Sequence, residues 1–303
     1  MNALNFLLKR NILSEIRLFN GLIDLMKPRV MSLVIFTCAV GLLTAPNQIP
    51  MFDAIISIGF VSLGAGAAGA LNMWYEADLD KLMSRTCLRP IPTGKVNKSQ
   101  ALVFGLALSI ISIYGLYYFS NSLSAFILFF TIFFYVVIYT VWLKRRTSQN
   151  IVIGGAAGAL PPVIGWTIAT DNLSLEAICF FLIIFFWTPS HFWALSLYKV
   201  KDYRLAKIPM LPVISGIQNT KMNILAYSLL MLPALYLPYY IGFVGNFFAF
   251  FCLPITIYYN YICFDLYKHE KNKFNILKAK KVFSYSIIYL FAIFVLFLID
   301  NFV

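Results

Sequence analysis

No lysine or arginine occurs between Arg29 and Lys81, between Lys98 and Lys144, between Arg146 and Lys199, between Lys221 and Lys268, or after Lys281. Only 12% of the 303 residues are charged, against 61% hydrophobic, and the mean hydropathy is +0.80. A chain with so little charge cannot clothe a soluble domain. Histidine is nearly missing, at two residues, and the five cysteines form no Cys-x-x-Cys pair. Neither a zinc framework nor a disulfide scaffold is indicated. No Ser-His-Asp arrangement is visible. The glycines at 154, 155 and 158 lack the preceding strand and the spacing of a dinucleotide fingerprint, and read as a packing face. The start carries no secretory signal pattern. Residues 1–24 read instead as an amphipathic segment lying at the membrane surface.

What the chain does contain is long hydrocarbon. Each membrane-spanning helix needs about 20 mostly apolar residues. Residues 30–52, 54–75, 147–170, 177–198 and 282–299 supply five. The charge-free run 99–143 breaks near Ser120-Asn121, and 222–264 breaks near Gly242, so each supplies two more. The reading is all-α, with nine transmembrane helices in one domain over 1–303. With nine spans, all 24 Lys and Arg residues fall on one side, in the N-terminal segment and in alternate loops. That side is the cytoplasmic one, so the N-terminus is expected inside and the C-terminus outside. The net charge of +12 then reflects topology and contact with anionic lipid headgroups rather than nucleic acid binding.

The acids among those cations are the candidates for chemistry. Asn72, Glu76 and Asp80 follow a stretch rich in Gly and Ala, and recur at one-turn intervals on a helix face. Two carboxylates and an amide are hard oxygen donors suited to Mg²⁺. The competing reading is a hydrated, negatively charged helix end. Arg85 and Arg89 follow, and guanidinium groups bind phosphate oxygens through a planar fork. Lys144, Arg145 and Arg146, ahead of Gln149 and Asn150, form a second basic cluster that positive-inside bias also explains. A third cluster holds Trp187, Pro189, His191 and Trp193, then Lys199, Lys201, Asp202, Arg204 and Lys207. Pro189 should kink its helix. His191 is either a buried polar group bonded to a neighbouring helix or a contact to a substrate carboxylate or macrocycle. His269 reads as surface. Asp202 is either the counterion of its basic neighbours or a holder of a second metal.

Metal-type oxygens and cations above an aromatic-lined bundle suit an amphiphile with a diphosphate head and a hydrocarbon tail. Departure of diphosphate from an allylic carbon leaves a carbocation, which ring faces stabilise without supplying a nucleophile. An electron-rich acceptor would then be alkylated.

The run Asn72, Glu76, Asp80, Arg85 and Arg89-Pro90 resembles the first signature of the UbiA-type intramembrane prenyltransferases. The likeness extends over nearly the whole chain. Residues 143–166, 187–195 and 208–213 are similar to the haem-farnesylating subgroup of that family. The resemblance implies transfer of farnesyl from farnesyl diphosphate to the 2-vinyl group of haem B, with water addition, in a bacterial inner membrane. It implies Mg²⁺ held by Asn72, Glu76 and Asp80, with Arg85, Arg89, Lys144 and Arg145 on the diphosphate. Asp202 would organise the second half of the cap or hold a second metal. Lys199, Lys201, Arg204 or Lys207 would add positive charge there. His191, Trp187 and Trp193 would lie near the haem, with Arg146 or Lys207 receiving its propionates. A downstream haem-modifying enzyme is an implied partner. Two departures matter: Glu76 stands where the wider family has Asp, and Ala206 where it has a second Asp, which puts the second metal in question. Three alternatives remain: a prenyltransferase for a quinone precursor, a transporter of an anionic or phosphorylated lipid, and a structural subunit.

Overall fold

The structure, a computed structural model, describes residues 15–268 and 275–303. His269 and residues 1–14 of the expected amphipathic segment lie outside the described residues. Among the described residues every regular element is helical. Eight helices are long and apolar enough to cross a membrane alone, and a ninth span arises if a bent pair is taken as one.

That pair is α1, Glu15–Leu25, and α2, Pro28–Leu43, which meet at 45°. The cause is local. Pro28 cannot donate a backbone hydrogen bond and disfavours a right-handed helical residue before it. Lys27 accordingly takes φ 56°, ψ 61°. The expected first span over 30–52 is corrected here: α2 ends at Leu43, and Met51 already opens α3, Met51–Tyr75. Pro46 and Pro50 interrupt the apolar run, and Pro50 precedes the first turn of α3.

A short helix, α4 (Ala77–Asp80), follows α3. α5, Lys98–Phe119, opens with Asn97 and Gln100 in a reciprocal capping box. Asn121 caps α6, Ser122–Phe133, by accepting from Ser124 N–H at 2.8 Å, which explains the break foreseen in the long charge-free run. From Phe134 to Leu143 the same span continues as a π-helix. The next span divides at Pro161 into α7, Asn150–Ala159, and α8, Pro161–Thr170. α9, Leu175–Tyr198, runs through Pro189 as one helix. Two short helices, α10 (Val200–Leu205) and α11 (Leu211–Ile214), lead to α12 (Gly216–Tyr240), α13 (Asn246–Lys268) and α14 (Ile276–Asp300).

The spans form a closed bundle in which α9 packs against α7, α12 and α14, and α14 returns to α2. With little hydrophobic drive between helices in lipid, close backbone approach carries much of the association. At α2 and α8 it is extreme. A Cβ on Gly165 would stand 1.9 Å from the Cys38 carbonyl oxygen, and one on Gly41 2.1 Å from that of Pro162. The expected glycine packing face of α7 is present in part. Gly154 abuts Tyr139 and Gly155 abuts Thr188, but Gly158 faces open space.

Candidate active site

The i→i−4 ladder of α3 carries on beyond its end: Glu76 N–H donates to Asn72 O at 3.0 Å and Asp80 N–H to Glu76 O at 2.9 Å. Glu76 itself sits between the two helices with φ −90°, ψ 8°. The one-turn spacing of Asn72, Glu76 and Asp80 thus survives a break in the helix. All three are buried, at 3%, 3% and 2% exposure. Buried charge must be paired, and each of these side chains has a basic partner. Lys27 Nζ donates to Asn72 Oδ1 at 2.9 Å. Lys144 Nζ lies 2.5 Å from Glu76 Oε1. One guanidinium nitrogen of Arg89 donates to both oxygens of Asp80, at 2.8 and 2.9 Å.

The π-helix brings Lys144 and Thr140 here. Its wider turn is seen where Thr140 Oγ1 donates to Tyr135 O, five residues back, and Lys144 N–H to Tyr139 O. Such segments are rare and recur at functional sites. Thr140 Oγ1 also accepts from Asn72 Nδ2 at 3.1 Å, which fixes the amide with its oxygen toward Lys27. Burial pushes the Glu76 carboxyl up, but Lys144, aided by Lys27 and Arg89, outweighs it and holds the group below the ordinary carboxylate range.

Glu76 and Asp80 open into a cavity of about 60 Å³ together with Arg85, Arg89 and Lys144. Its remaining wall is largely apolar, with Tyr139, Tyr203, Met83, Ile151 and Phe192. The acids of the first cluster therefore meet Lys144 across the bundle at one end of the helices. Two carboxylates and an amide oxygen form a hard donor set suited to a divalent cation. Among the described residues no three His, Cys, Asp or Glu side chains converge, so a metal here would rest on Asn72, Glu76 and Asp80.

Other expected site residues lie elsewhere. Arg145 turns outward to Asp78 at 3.0 and 3.2 Å and over the Tyr75 ring, because that exposed acid offers a bidentate partner. Burial pushes the Asp78 carboxyl up, and Arg145 together with nearby backbone N–H groups outweighs it, leaving the group below its usual value. Asp202 does not join the first cluster: it accepts from Ser84 Oγ at 2.6 Å and pairs with Lys199 at 3.7 Å, and Lys199 also donates to Ser84 at 3.2 Å. This ties α10 to the loop after α4. Arg146, Lys201, Arg204 and Lys207 are exposed. His191 is sandwiched between Trp187 and Phe283, with ring centroids 4.3 and 4.6 Å away, and its Nδ1 bonds Ser286 Oγ at 2.6 Å. Trp187 Nε1–H donates to Ser286 O at 2.8 Å, and Trp193 is fully buried against Tyr227. None of the three lines the cavity. They stitch α9 to α14 and α12, so the bonded-to-a-neighbour reading of His191 is the one the geometry supports.

Lys27, Ser84, Thr140, Tyr139 and Tyr203 were not singled out by the sequence pattern. Lys27 carried one signal, a cation directly before the proline that opens an apolar helix.

The UbiA prenyltransferase family model matches residues 33–287. The chain is 67% identical over 300 residues to a protoheme IX farnesyltransferase of Pelagibacter ubique, covering 98% of this chain and 99% of that one. It is 50% identical over 278 residues to a protoheme IX farnesyltransferase of Rhizobium etli, covering 92% and 88%. Among solved structures, a digeranylgeranylglyceryl phosphate synthase superposes with a TM-score of 0.78 at 16% identity, covering 94% and 98%. A UbiA homolog from Archaeoglobus fulgidus bound to DMAPP and Mg²⁺ superposes with a TM-score of 0.65 at 15% identity, covering 90% and 99%. At such identities the structural likeness concerns the fold.

Proposed function

The chain belongs to the UbiA prenyltransferase family, and from that premise we propose that it transfers the farnesyl group of farnesyl diphosphate to the 2-vinyl group of haem B. The observation that carries the reading is the ring of Glu76, Asp80, Arg85, Arg89 and Lys144 around one cavity at the end of an apolar bundle. The choice of haem as acceptor follows the activity named for the relatives at 67% and 50% identity.

In this reading the C–O bond of the allylic diphosphate breaks and its electron pair leaves with diphosphate. The vinyl π electrons attack the farnesyl cation, forming the new C–C bond. Water captures the resulting cation and a proton is released, giving the hydroxyethylfarnesyl group of haem O. Arg85, Arg89 and Lys144 neutralise the departing diphosphate, acting where charge develops. A bound Mg²⁺, held by Asn72, Glu76 and Asp80, would supply Lewis-acid charge against the diphosphate oxygens. Tyr139, Tyr203 and Phe192 line the cavity, where aromatic rings stabilise a cation and offer no strong nucleophile.

Asp202, through Ser84 and Lys199, holds the cap together. Exposed Arg146 and Lys207 are suited to the haem propionates, and exposed Arg204 adds to the positive charge that draws diphosphate in. The basic end faces the cytoplasm of a bacterial inner membrane, with the C-terminus outside.

The test is one assay. Membranes containing the protein receive haem B, farnesyl diphosphate and Mg²⁺, and the extracted haems are separated by reverse-phase chromatography. A strongly retained farnesylated haem, with release of one diphosphate, is expected. Diphosphate release onto a quinone precursor alone would reassign the acceptor, and no release from folded protein would point to transport or scaffolding.

A further inference from the structure

Lys27 stands at the break between α1 and α2 with a left-handed backbone, a conformation uncommon for a residue with a side chain. That geometry aims its ammonium into the bundle, 2.9 Å from Asn72 Oδ1. The amide cannot turn away, because its nitrogen is committed to Thr140 Oγ1. An ammonium group only donates, so it takes one of the two lone pairs of Asn72 Oδ1 and sets positive charge against the oxygen that would face a metal. The same arrangement repeats at Glu76 with Lys144 and at Asp80 with Arg89. Three ligand oxygens are thus each covered by a cation, from the α1–α2 break, the π-helix end and the loop after α4.

Charge decides what this cluster accepts. Two carboxylates against Lys144, Arg89 and the Arg85 that lines the same cavity already leave a positive excess, to which Lys27 adds. A bare divalent ion must enter against that excess, whereas a divalent ion with a fully ionised diphosphate ester carries one net negative charge and complements it. Resting on the function argued above, we propose that Lys27 is a positioning residue. It keeps Asn72 closed to a bare metal ion and transfers its hydrogen bond to diphosphate when metal and diphosphate arrive together. Lys144 and Arg89 do the same for Glu76 and Asp80. Metal and diphosphate then bind with reciprocal positive coupling, and release of diphosphate draws the cations back onto the acids.

The experiment is Mn²⁺ binding, read by electron paramagnetic resonance on the full-length protein in detergent, with and without inorganic pyrophosphate. Protein-free Mn²⁺–pyrophosphate is the reference. Wild-type protein should bind Mn²⁺ weakly alone and at least about tenfold more tightly with pyrophosphate. Lys27→Met should bind Mn²⁺ alone roughly fivefold or more tightly than wild type, since one repelling charge is gone, and should gain less from pyrophosphate. Lys27→Arg, which keeps the charge, should stay weak alone. Mn²⁺ binding alone that is no tighter in Lys27→Met overturns the inference while leaving the farnesyl-transfer reading intact. If thermal unfolding shows Lys27→Met to be misfolded, Lys144→Met is read in its place at Glu76, and unchanged binding of Mn²⁺ alone overturns the inference equally. No Mn²⁺ bound by wild type even with pyrophosphate overturns both.

Discussion

Replacing Lys144 by Met leaves the Glu76 carboxylate 3% exposed with its 2.5 Å counter-charge removed. Breaking a buried pair from one side costs about 3–5 kcal/mol, because the remaining charge is uncompensated. Lys27 and Arg89 still act on Glu76, which puts the expected loss near the lower end, about 3 kcal/mol at neutral pH. The pH dependence is the sharper signature. In wild type the folded-state carboxyl titrates below its unfolded value of about 4.3, so the stabilisation is fully present above that pH. It is lost as pH falls through the lowered folded value. In the variant burial is no longer outweighed, the folded value rises above the unfolded one, and the sign reverses. Stability is then greatest in acid and declines as pH rises past about 4.3 toward neutrality. Thermal unfolding of metal-free protein in detergent across that range reads the slope. Adding Glu76→Gln to the variant should recover stability, with a coupling of roughly 1–3 kcal/mol. Strictly additive losses, or an unchanged slope, would refute the reasoning.

Asp80→Asn should lower farnesylated-haem production roughly 10²–10³-fold while haem binding, followed by absorbance, is nearly unchanged; equal loss of both would make Asp80 a folding residue. Gly165→Ala places a Cβ 1.9 Å from the Cys38 carbonyl and should cost about 1–3 kcal/mol. An unaltered melting temperature would contradict the α2–α8 contact. Ser84→Ala removes the 2.6 Å bond to Asp202 and should raise KM for farnesyl diphosphate roughly 2–10-fold, with kcat nearly constant. A fall in kcat at unchanged KM would mean that the cap acts in the chemical step. Chelation should stop product formation and Mg²⁺ restore it; turnover persisting in chelator would remove the metal from the mechanism.

Much of the candidate site was legible because its signals are local. Asn72, Glu76 and Asp80 announce themselves by one-turn spacing in an apolar setting, and helix geometry keeps that spacing even across the break at Glu76. Lys27 was not legible, since a cation beside a lipid-facing helix reads as topology until Asn72 is found across the bundle. The sequence does not separate Arg145 from Lys144 for the complementary reason: their triplet with Arg146 does not reveal that Asp78 takes one cation outward while Glu76 takes its neighbour inward. His191, Trp187 and Trp193 have the composition of a ligand pocket, but Ser286 and Phe283, nearly a hundred residues on, claim two of them for packing.

The helical, many-span character of the chain, the clustering of every Lys and Arg on alternate loops, and the one-turn spacing of Asn72, Glu76 and Asp80 follow from the sequence alone, because hydrocarbon thickness and helical pitch act on consecutive residues. The pairing of those side chains with Lys27, Lys144 and Arg89, and the wider turn from Phe134 to Leu143 that delivers Lys144 and Thr140, belong to the tertiary structure. They depend on which helices lie side by side, and a buried charge takes whichever partner the packing brings within reach.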